Sequence, residues 1–225
     1  VGGSPHKHVR LVLIGAGAAA ARHISAIARY NDRARSDFFR VVAIMDASET
    51  IAALRASPEA ARLKLSQCPV VPTLEDLLDT VDFDVAVLSS QGDKERVTSA
   101  LLAKQKYVLL EPPLALSMEA ALRLTKQSRQ SQPSVQRVLV SEPIEYWPEL
   151  HRASDLLSRD TVGSVFAAQG LGTSSGPEAL SVLSEGIGCI LAPGLSWIRA
   201  LRRLLGPVEE VACMELVAAP SGAAE

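Results

Sequence analysis

The feature that most constrains this chain is residues 10–23, Arg-Leu-Val-Leu-Ile-Gly-Ala-Gly-Ala-Ala-Ala-Ala-Arg-His. Residues 11–14 read as a buried strand, Gly15 to Gly17 as a tight turn, and the residues beyond as a helix that carries Arg22 and His23 on its first turns. Strand, glycine turn and helix in that order form a dinucleotide-binding fingerprint, with Gly15 and Gly17 in the first two glycine positions and Ala20 in the third. The first glycine lets the backbone turn, and the second lets a pyrophosphate approach it closely. The third position need only be small enough for helix and strand to pack, so alanine suffices. The helix N-terminus adds unpaired N–H groups and a partial positive charge. An ordinary strand-to-helix turn would look similar, so the remainder of the unit has to decide.

That remainder alternates strand and helix patterns. After a polar insert at 31–37, residues 38–45 form a second apolar run ending in Asp46. An acidic residue there ordinarily holds a ribose 2′-hydroxyl and repels a 2′-phosphate, which points to NAD rather than NADP; an Asp that merely ends the strand and caps a helix is the alternative. A helix is expected over 49–65 with Pro58 inside it or at a break, a short extended piece over 70–72, and a brief helix over 74–78 capped by Thr73. Residues 84–88 form a strand, 89–93 a polar loop with Ser89 and Ser90, 94–104 a helix and 106–110 a strand. A helix over 118–129 and a strand over 135–141 complete the unit. Such alternation implies a parallel, doubly wound sheet whose ligands sit beyond the C-terminal strand ends. Those ends carry Gly15 to Gly17, Asp46, Ser89 to Gly92 and Glu111 to Pro113, so one ligand could touch all four.

Residues 142–225 read differently. A helix over 149–157, a strand over 164–169, a glycine- and serine-rich loop over 170–186, a helix over 195–205 and a strand over 208–217 make an incomplete α+β second domain. Two strands fall short of the three or more that an independently stable sheet generally needs. Cover from a protein partner, or from a second copy in a homo-oligomer, is therefore expected. The fold class is α/β: a doubly wound parallel sheet in residues 1–141, then the partial domain.

Composition excludes several classes. The 23 basic and 25 acidic residues leave a formal net charge of −2 without charged blocks, which argues against a nucleic-acid surface. Cys68, Cys189 and Cys213 are too few and too scattered for a disulfide framework or a zinc site, and no metal is expected. The apolar run 11–21 is about half of the ~20 residues that span a bilayer, and residues 1–10 lack a signal-peptide core. These features fit a soluble protein in a reducing compartment: the cytoplasm, or an organelle matrix after processing, since the sequence starts at Val1.

With strands 84–88 and 106–110 leading into Glu111-Pro112-Pro113, the chain resembles the glucose–fructose oxidoreductase / inositol dehydrogenase (Gfo/Idh/MocA) family over about residues 9–217. The glycine turn with its trailing His23, Asp46, and the Val-Leu-Leu-Glu-x-Pro pattern occur in family order. The resemblance implies a Rossmann NAD(P)-binding domain in which Gly15, Gly17, Ala20, His23, Asp46, Ser89, Ser90 and Glu111 face the cofactor.

It also implies catalytic residues that this sequence lacks. The family motif after the fifth strand is Glu-Lys-Pro, and Pro112 occupies the lysine position. The loop usually reading Thr-Pro and then histidine falls on Ser89, Ser90 and Lys94. The later motif Asp-x-Gly-x-His-x-x-Asp, counted back from Gly206, falls on Ala192, Gly194, Ser196 and Arg199; only the glycine matches. No shift of register recovers the histidine, because the four histidines are His6, His8, His23 and His151. A hydride transfer from an alcohol needs a group to take the hydroxyl proton, and losing it costs ~10²–10⁴-fold in rate. Lys94, Lys106, Glu111, Glu142, Tyr146 and His151 are candidate substitutes, each also readable as a solvated or helix-start residue. Ser196 lacks a visible base.

The expected function is thus a catalytically degenerate family member, a structural or regulatory subunit of a larger assembly that can still bind NAD(H). The alternatives are an active NAD-dependent oxidoreductase on a small polyol- or sugar-like substrate with a relocated acid/base, and a sensor whose partner affinity follows the NAD/NADH ratio.

Overall fold

The computed structural model describes residues 8–90, 92–130, 135–159, 162–169, 194–210 and 212. Its centre is a five-stranded, wholly parallel sheet in the order β2-β1-β3-β4-β5. The strands are β1 (Val9–Ile14), β2 (Phe39–Met45), β3 (Val85–Leu88), β4 (Tyr107–Leu110) and β5 (Val138–Val140). Val70 extends the sheet beyond β2 through a parallel bridge to Ile44. The strand order reverses between β1 and β3, which makes their C-terminal ends the switch point where the connecting loops diverge and a crevice opens.

The helices α1 (Ala18–Ala34), α2 (Ser48–Arg55) and α3 (Pro58–Arg62) cover one face of the sheet; α4 (Leu74–Thr80), α5 (Lys94–Ala103) and α6 (Met118–Gln130) follow on the other. Because β1 is covered on both faces, Leu11 to Ile14 are all buried, as expected of a central parallel strand. At its N-terminal end Arg10 pins β1 to the start of β3: its backbone N–H and Nε both donate to Asp84 Oδ2, at 2.8 and 3.1 Å. Each fully buried leucine or isoleucine here contributes roughly 1.5–3 kcal/mol relative to exposure.

Cover is uneven. On the α1 side no described residue covers the sheet over β4 and β5, where Tyr107 and Leu139 stand 42% and 59% exposed. Together with Leu109, Tyr30 and Phe39 they line an apolar depression of about 600 Å³.

Several expected boundaries are corrected. Helix α1 continues to Ala34 and takes in part of the supposed insert, because buried Asn31 anchors it to β2 through both directions of its amide: Nδ2 donates to Phe39 O, and Oδ1 accepts from Phe39 N. The single helix expected over 49–65 is broken into α2, α3 and a 3₁₀ turn at Leu65–Gln67. Pro58 stands at a break, the second of its two expected placements, and starts α3, which Ser57 caps by accepting from Ala60 N at 3.1 Å.

Beyond β5 come a 3₁₀ turn (Pro143–Tyr146), α7 (Pro148–Ser158) and α8 (Leu195–Leu205). The strand expected over 164–169 does not form: those residues are exposed, with Phe166 fully so, and pair with no strand among the described residues. No strand forms at 208–210 either; the rest of that expected strand, the loop 170–186, Cys189, Ala192 and Cys213 lie outside the described residues. Helix α8 packs Ala200 and Leu204 against Ile144 and Leu150, a small satellite core beside the sheet.

Candidate functional site

The C-terminal strand ends gather most of the expected cofactor residues. Gly15 leaves β1 with φ +97°, and a Cβ there would sit 2.6 Å from Ser90 N. Only glycine satisfies both the backbone and the space. Gly17 differs: nothing lies within 4 Å of a Cβ built on it. Its openness is the room a bound phosphate would use. Gly17 is also the N-cap of α1, with no side-chain cap and no acidic residue in the first turn. The opening N–H groups of a 17-residue helix are thus left for an anion. Ala20 is wholly buried and packs α1 onto the sheet.

Asp46, at the exit of β2, turns its carboxylate onto the glycine turn. Oδ2 accepts from Ala16 N and Oδ1 from Ala47 N, at 2.5 and 2.6 Å. It therefore holds the turn from the end of β2. Ser89 clamps the same turn from β3, its hydroxyl donating to Gly15 O at 2.9 Å, while Ser89 N and Ser90 N donate to Ile14 O.

Glu111 leaves β4 and meets α1. Its Oε1 is 2.7 Å from His23 Nε2, and its Oε2 accepts from Arg22 at 3.4 Å. Burial pushes the Glu111 carboxyl up, but the hydrogen bond and charge of His23, reinforced by Arg22, outweigh it and hold the group below the usual carboxylate range. Arg22 is a cleft residue that the motif reading did not assign to the cofactor set. Its position next to His23 in sequence was the available signal.

Lys94 opens α5 and is buried at 9% exposure. Its Nζ donates to the carbonyls of Glu111 at 3.0 Å and Pro112 at 3.4 Å. An ammonium thus stands behind Pro112, the position at which the resemblance implies lysine. Ser196, at the position implied for histidine, donates to Glu142 Oε2 at 2.8 Å, and Glu142 is only 5% exposed.

The other expected acid/base candidates are elsewhere. Lys106 lies at the opposite end of the sheet, donating to Phe83 O at 2.6 Å and standing over the Phe83 ring. Tyr146 is exposed, and His151 Nδ1 accepts from Arg203 at 3.1 Å, away from the glycine turn.

Glu142 and Pro112 instead face α8 across a cavity of about 690 Å³, whose charged lining also includes Glu145, Arg199, Arg202 and Arg203. Arg199 and Arg203 both donate to Glu145; the Arg199 hydrogen bond, then the two positive charges, keeps the Glu145 carboxyl low despite partial burial. Arg202 and Arg203 were not singled out from sequence, and Arg199 only as a mismatch to the expected motif. Their spacing along one helix was the readable sign, obscured by the mismatch to the expected motif. Among the described residues no cluster of three His, Cys, Asp or Glu could hold a metal, and no helix is long and apolar enough to cross a membrane.

Solved structures share this fold. The WlbA dehydrogenase from Bordetella pertussis, in complex with NADH and UDP-GlcNAcA, superposes with a TM-score of 0.72 at 21% identity, covering 90% of this chain and 61% of that one. The myo-inositol 2-dehydrogenase from Lactobacillus plantarum gives 0.73 at 18% identity, covering 89% and 57%. The scyllo-inositol dehydrogenase from Lactobacillus casei, with bound NAD(H) and scyllo-inositol, gives 0.71 at 15% identity, covering 89% and 57%. The chain thus spans about three-fifths of the length of these structures. No curated protein sequence matches it significantly. The sequence profile of the oxidoreductase family with an NAD-binding Rossmann fold matches residues 9–137, the stretch that contains the whole sheet up to β5, and the chain belongs to that family, the Gfo/Idh/MocA oxidoreductases.

Proposed function

We propose that the chain binds NAD(H) at the C-terminal strand ends and serves as a non-catalytic subunit of the family, structural or regulatory in role. The observation that carries this reading is the contrast between the two ends of the cleft. The glycine turn keeps an uncapped helix N-terminus and open space at Gly17, while the far end presents Pro112 and a Ser196 already bonded to Glu142. When bound, the dinucleotide would supply hydride chemistry. The chain's own part would be the N–H groups of α1 toward the pyrophosphate, Asp46 toward the adenine ribose, and Glu111, held by His23 and Arg22, toward the nicotinamide half. The charge of Asp46 supports NAD over NADP. The apolar face over β4 and β5, uncovered among the described residues, supports a subunit role, since such a patch calls for protein cover.

A second reading has one observation in its favour. Glu142 lines the cavity beside Pro112 and is nearly buried, so it could accept a substrate hydroxyl proton in an active dehydrogenase, with Ser196 fixing its orientation. Titrating the protein with NADH by fluorescence, and then assaying NAD reduction with myo-inositol and glucose across pH 5–10, separates the readings. The leading one expects saturable NADH binding and no turnover. Turnover that Glu142→Gln abolishes while NADH binding persists would replace it with the second.

A further inference from the structure

We infer that the apolar face over β3, β4 and β5 on the α1 side is a docking groove for one amphipathic helix of a partner protein, with an acidic residue where that helix passes over Arg137. The inference deepens the subunit reading above and rests on its premise that protein covers this face, not on dinucleotide binding.

Alternation along the strands makes the face. Val85 and Val87 of β3, Tyr107 and Leu109 of β4, and Leu139 of β5 stand at alternate positions and share one side of the sheet. Register joins them across strands: Val85 lies opposite Tyr107, and Val87, Leu109 and Leu139 form one row. The intervening Ala86, Val108 and Val138 are buried in the core shared with α5. A sheet with one wet face would alternate apolar with polar residues. Here β4 and β5 are apolar on both sides, the pattern of a parallel sheet covered by helices on both faces.

The dimensions fit a single helix. Three strands at a spacing of about 4.8 Å are roughly 10 Å across, the diameter of a helix with its side chains. Ile27 and Tyr30 of α1 wall one side of the depression, as a neighbouring helix would at about 8–10 Å between axes. The four register positions shared by β3 and β4 make the groove about 13 Å long, room for roughly nine helical residues.

Charge selects the helix. The residues lining the depression include no carboxylate, and its basic members are His23 and Arg137. His23 is already engaged by Glu111 at 2.7 Å. Arg137 has no acidic partner among the described residues. Its guanidinium lies 4.9 Å from the centroid of the Tyr107 ring, and Nη1 donates to Gln105 O at 2.7 Å. Nε is shielded from solvent and has no hydrogen-bond partner among the described residues. An Asp or Glu on the docked helix would meet this guanidinium beside an apolar wall, where charge-assisted hydrogen bonds are strong and screening is weak. A basic helix would meet like charge.

The test is fluorescence polarisation of two labelled helical peptides of about 14 residues, roughly four turns, added to the full chain, whose oligomeric state is followed by light scattering. Both peptides carry leucines along one face; one has glutamates elsewhere and the other lysines. The glutamate peptide should bind at least tenfold more tightly than the lysine peptide. Leu139→Asp should weaken that binding at least tenfold without moving the thermal midpoint, since Leu139 is 59% exposed. Tyr30→Ser, on the α1 wall, should weaken it as well. Arg137→Gln should shrink the preference for the glutamate peptide below threefold, and Arg137→Lys should retain it. Equal binding of the two peptides, or wild-type affinity in both Leu139→Asp and Tyr30→Ser, would overturn the inference. So would a monomeric chain that binds neither peptide, which leaves the face to the chain's own residues, and a dimer that Leu139→Asp makes monomeric, which gives it to a second copy. Turnover in the dehydrogenase assay with peptide binding intact sinks the non-catalytic reading alone. Absence of peptide binding in a protein that binds NADH without turnover sinks this inference alone.

Discussion

His23 Nε2 and Glu111 Oε1 lie 2.7 Å apart, joining the first helix after the glycine turn to the loop that leaves β4. Both side chains are mostly buried, 14% and 13% exposed, so the contact is weakly screened and holds two walls of the cleft in register. Glu111→Gln should destabilise the protein at neutral pH by about 1.5 kcal/mol, the low end for hydrogen bonds to charged groups. The pH dependence has a definite sign. The folded carboxyl titrates below its unfolded value of about 4.3, so its contribution is complete above that value and disappears as pH falls through the folded pKa. Urea midpoints of wild type and Glu111→Gln should therefore converge in acid and stay apart from pH 6 to 8. A constant gap across the whole range would show that the pair's charge contributes nothing.

The two glycines of the turn should separate folding from binding. Gly15→Ala places a Cβ 2.6 Å from Ser90 N in a left-handed backbone, and strain of about 1–3 kcal/mol should lower the melting temperature. Gly17→Val places its Cβ where nothing lies within 4 Å among the described residues, at an ordinary φ of −75°. Its melting temperature should change little, while NADH affinity by fluorescence falls at least tenfold because the branched side chain fills the phosphate's approach. Unchanged NADH affinity in a folded Gly17→Val protein would remove the glycine turn from the binding site.

Asp46 has two roles that one substitution can divide. Asp46→Asn keeps one oxygen acceptor for the Ala16 or Ala47 N–H and removes the charge that repels a 2′-phosphate. The ratio of NADPH to NADH affinity should rise about tenfold, one pKa-unit equivalent of about 1.4 kcal/mol, with only a small loss in stability. Parallel titrations with both nucleotides check this. An unaltered ratio would mean that the carboxylate serves the turn alone.

Much of this was legible because the signals were local and steric. A left-handed Gly15, an uncapped α1 and the apolar run 11–14 need only neighbouring residues to be recognised, and the parallel order follows from strand–helix alternation. Asn31 was misread because its amide bonds to Phe39 across a turn, a contact that no helix periodicity announces. Pro58 divided one expected helix in two because a proline fits the first helical position as readily as it ends a helix. The arginine wall of α8 was hidden for another reason: the motif counted onto it was catalytic, and its residues were scored for what they lacked. Residues 164–169 hold an apolar run, Val165 to Ala168, of a length that suits a strand, yet a strand needs a hydrogen-bonded neighbour, which the sequence did not specify.

Lys94 tests whether the cleft is built for folding or for chemistry. An ammonium in the first turn of α5 opposes the helix dipole by about 0.3–1 kcal/mol, and burial adds a desolvation cost. It is compensated by the carbonyls of Glu111 and Pro112, which accept from Nζ at 3.0 and 3.4 Å. Lys94→Met preserves length and apolar contact but leaves those oxygens without this donor, at about 1–3 kcal/mol for an unsatisfied buried group. The lost hydrogen bonds exceed the relieved dipole repulsion, so the variant should be less stable by about 1 kcal/mol or more, with NADH affinity reduced because the loop carrying Glu111 is no longer pinned. Chemical denaturation and NADH titration measure the two effects separately. A Lys94→Met protein as stable as wild type would mean that the buried ammonium is not needed to hold the loop, and that it is kept at a net cost to the fold for what it presents to the cleft.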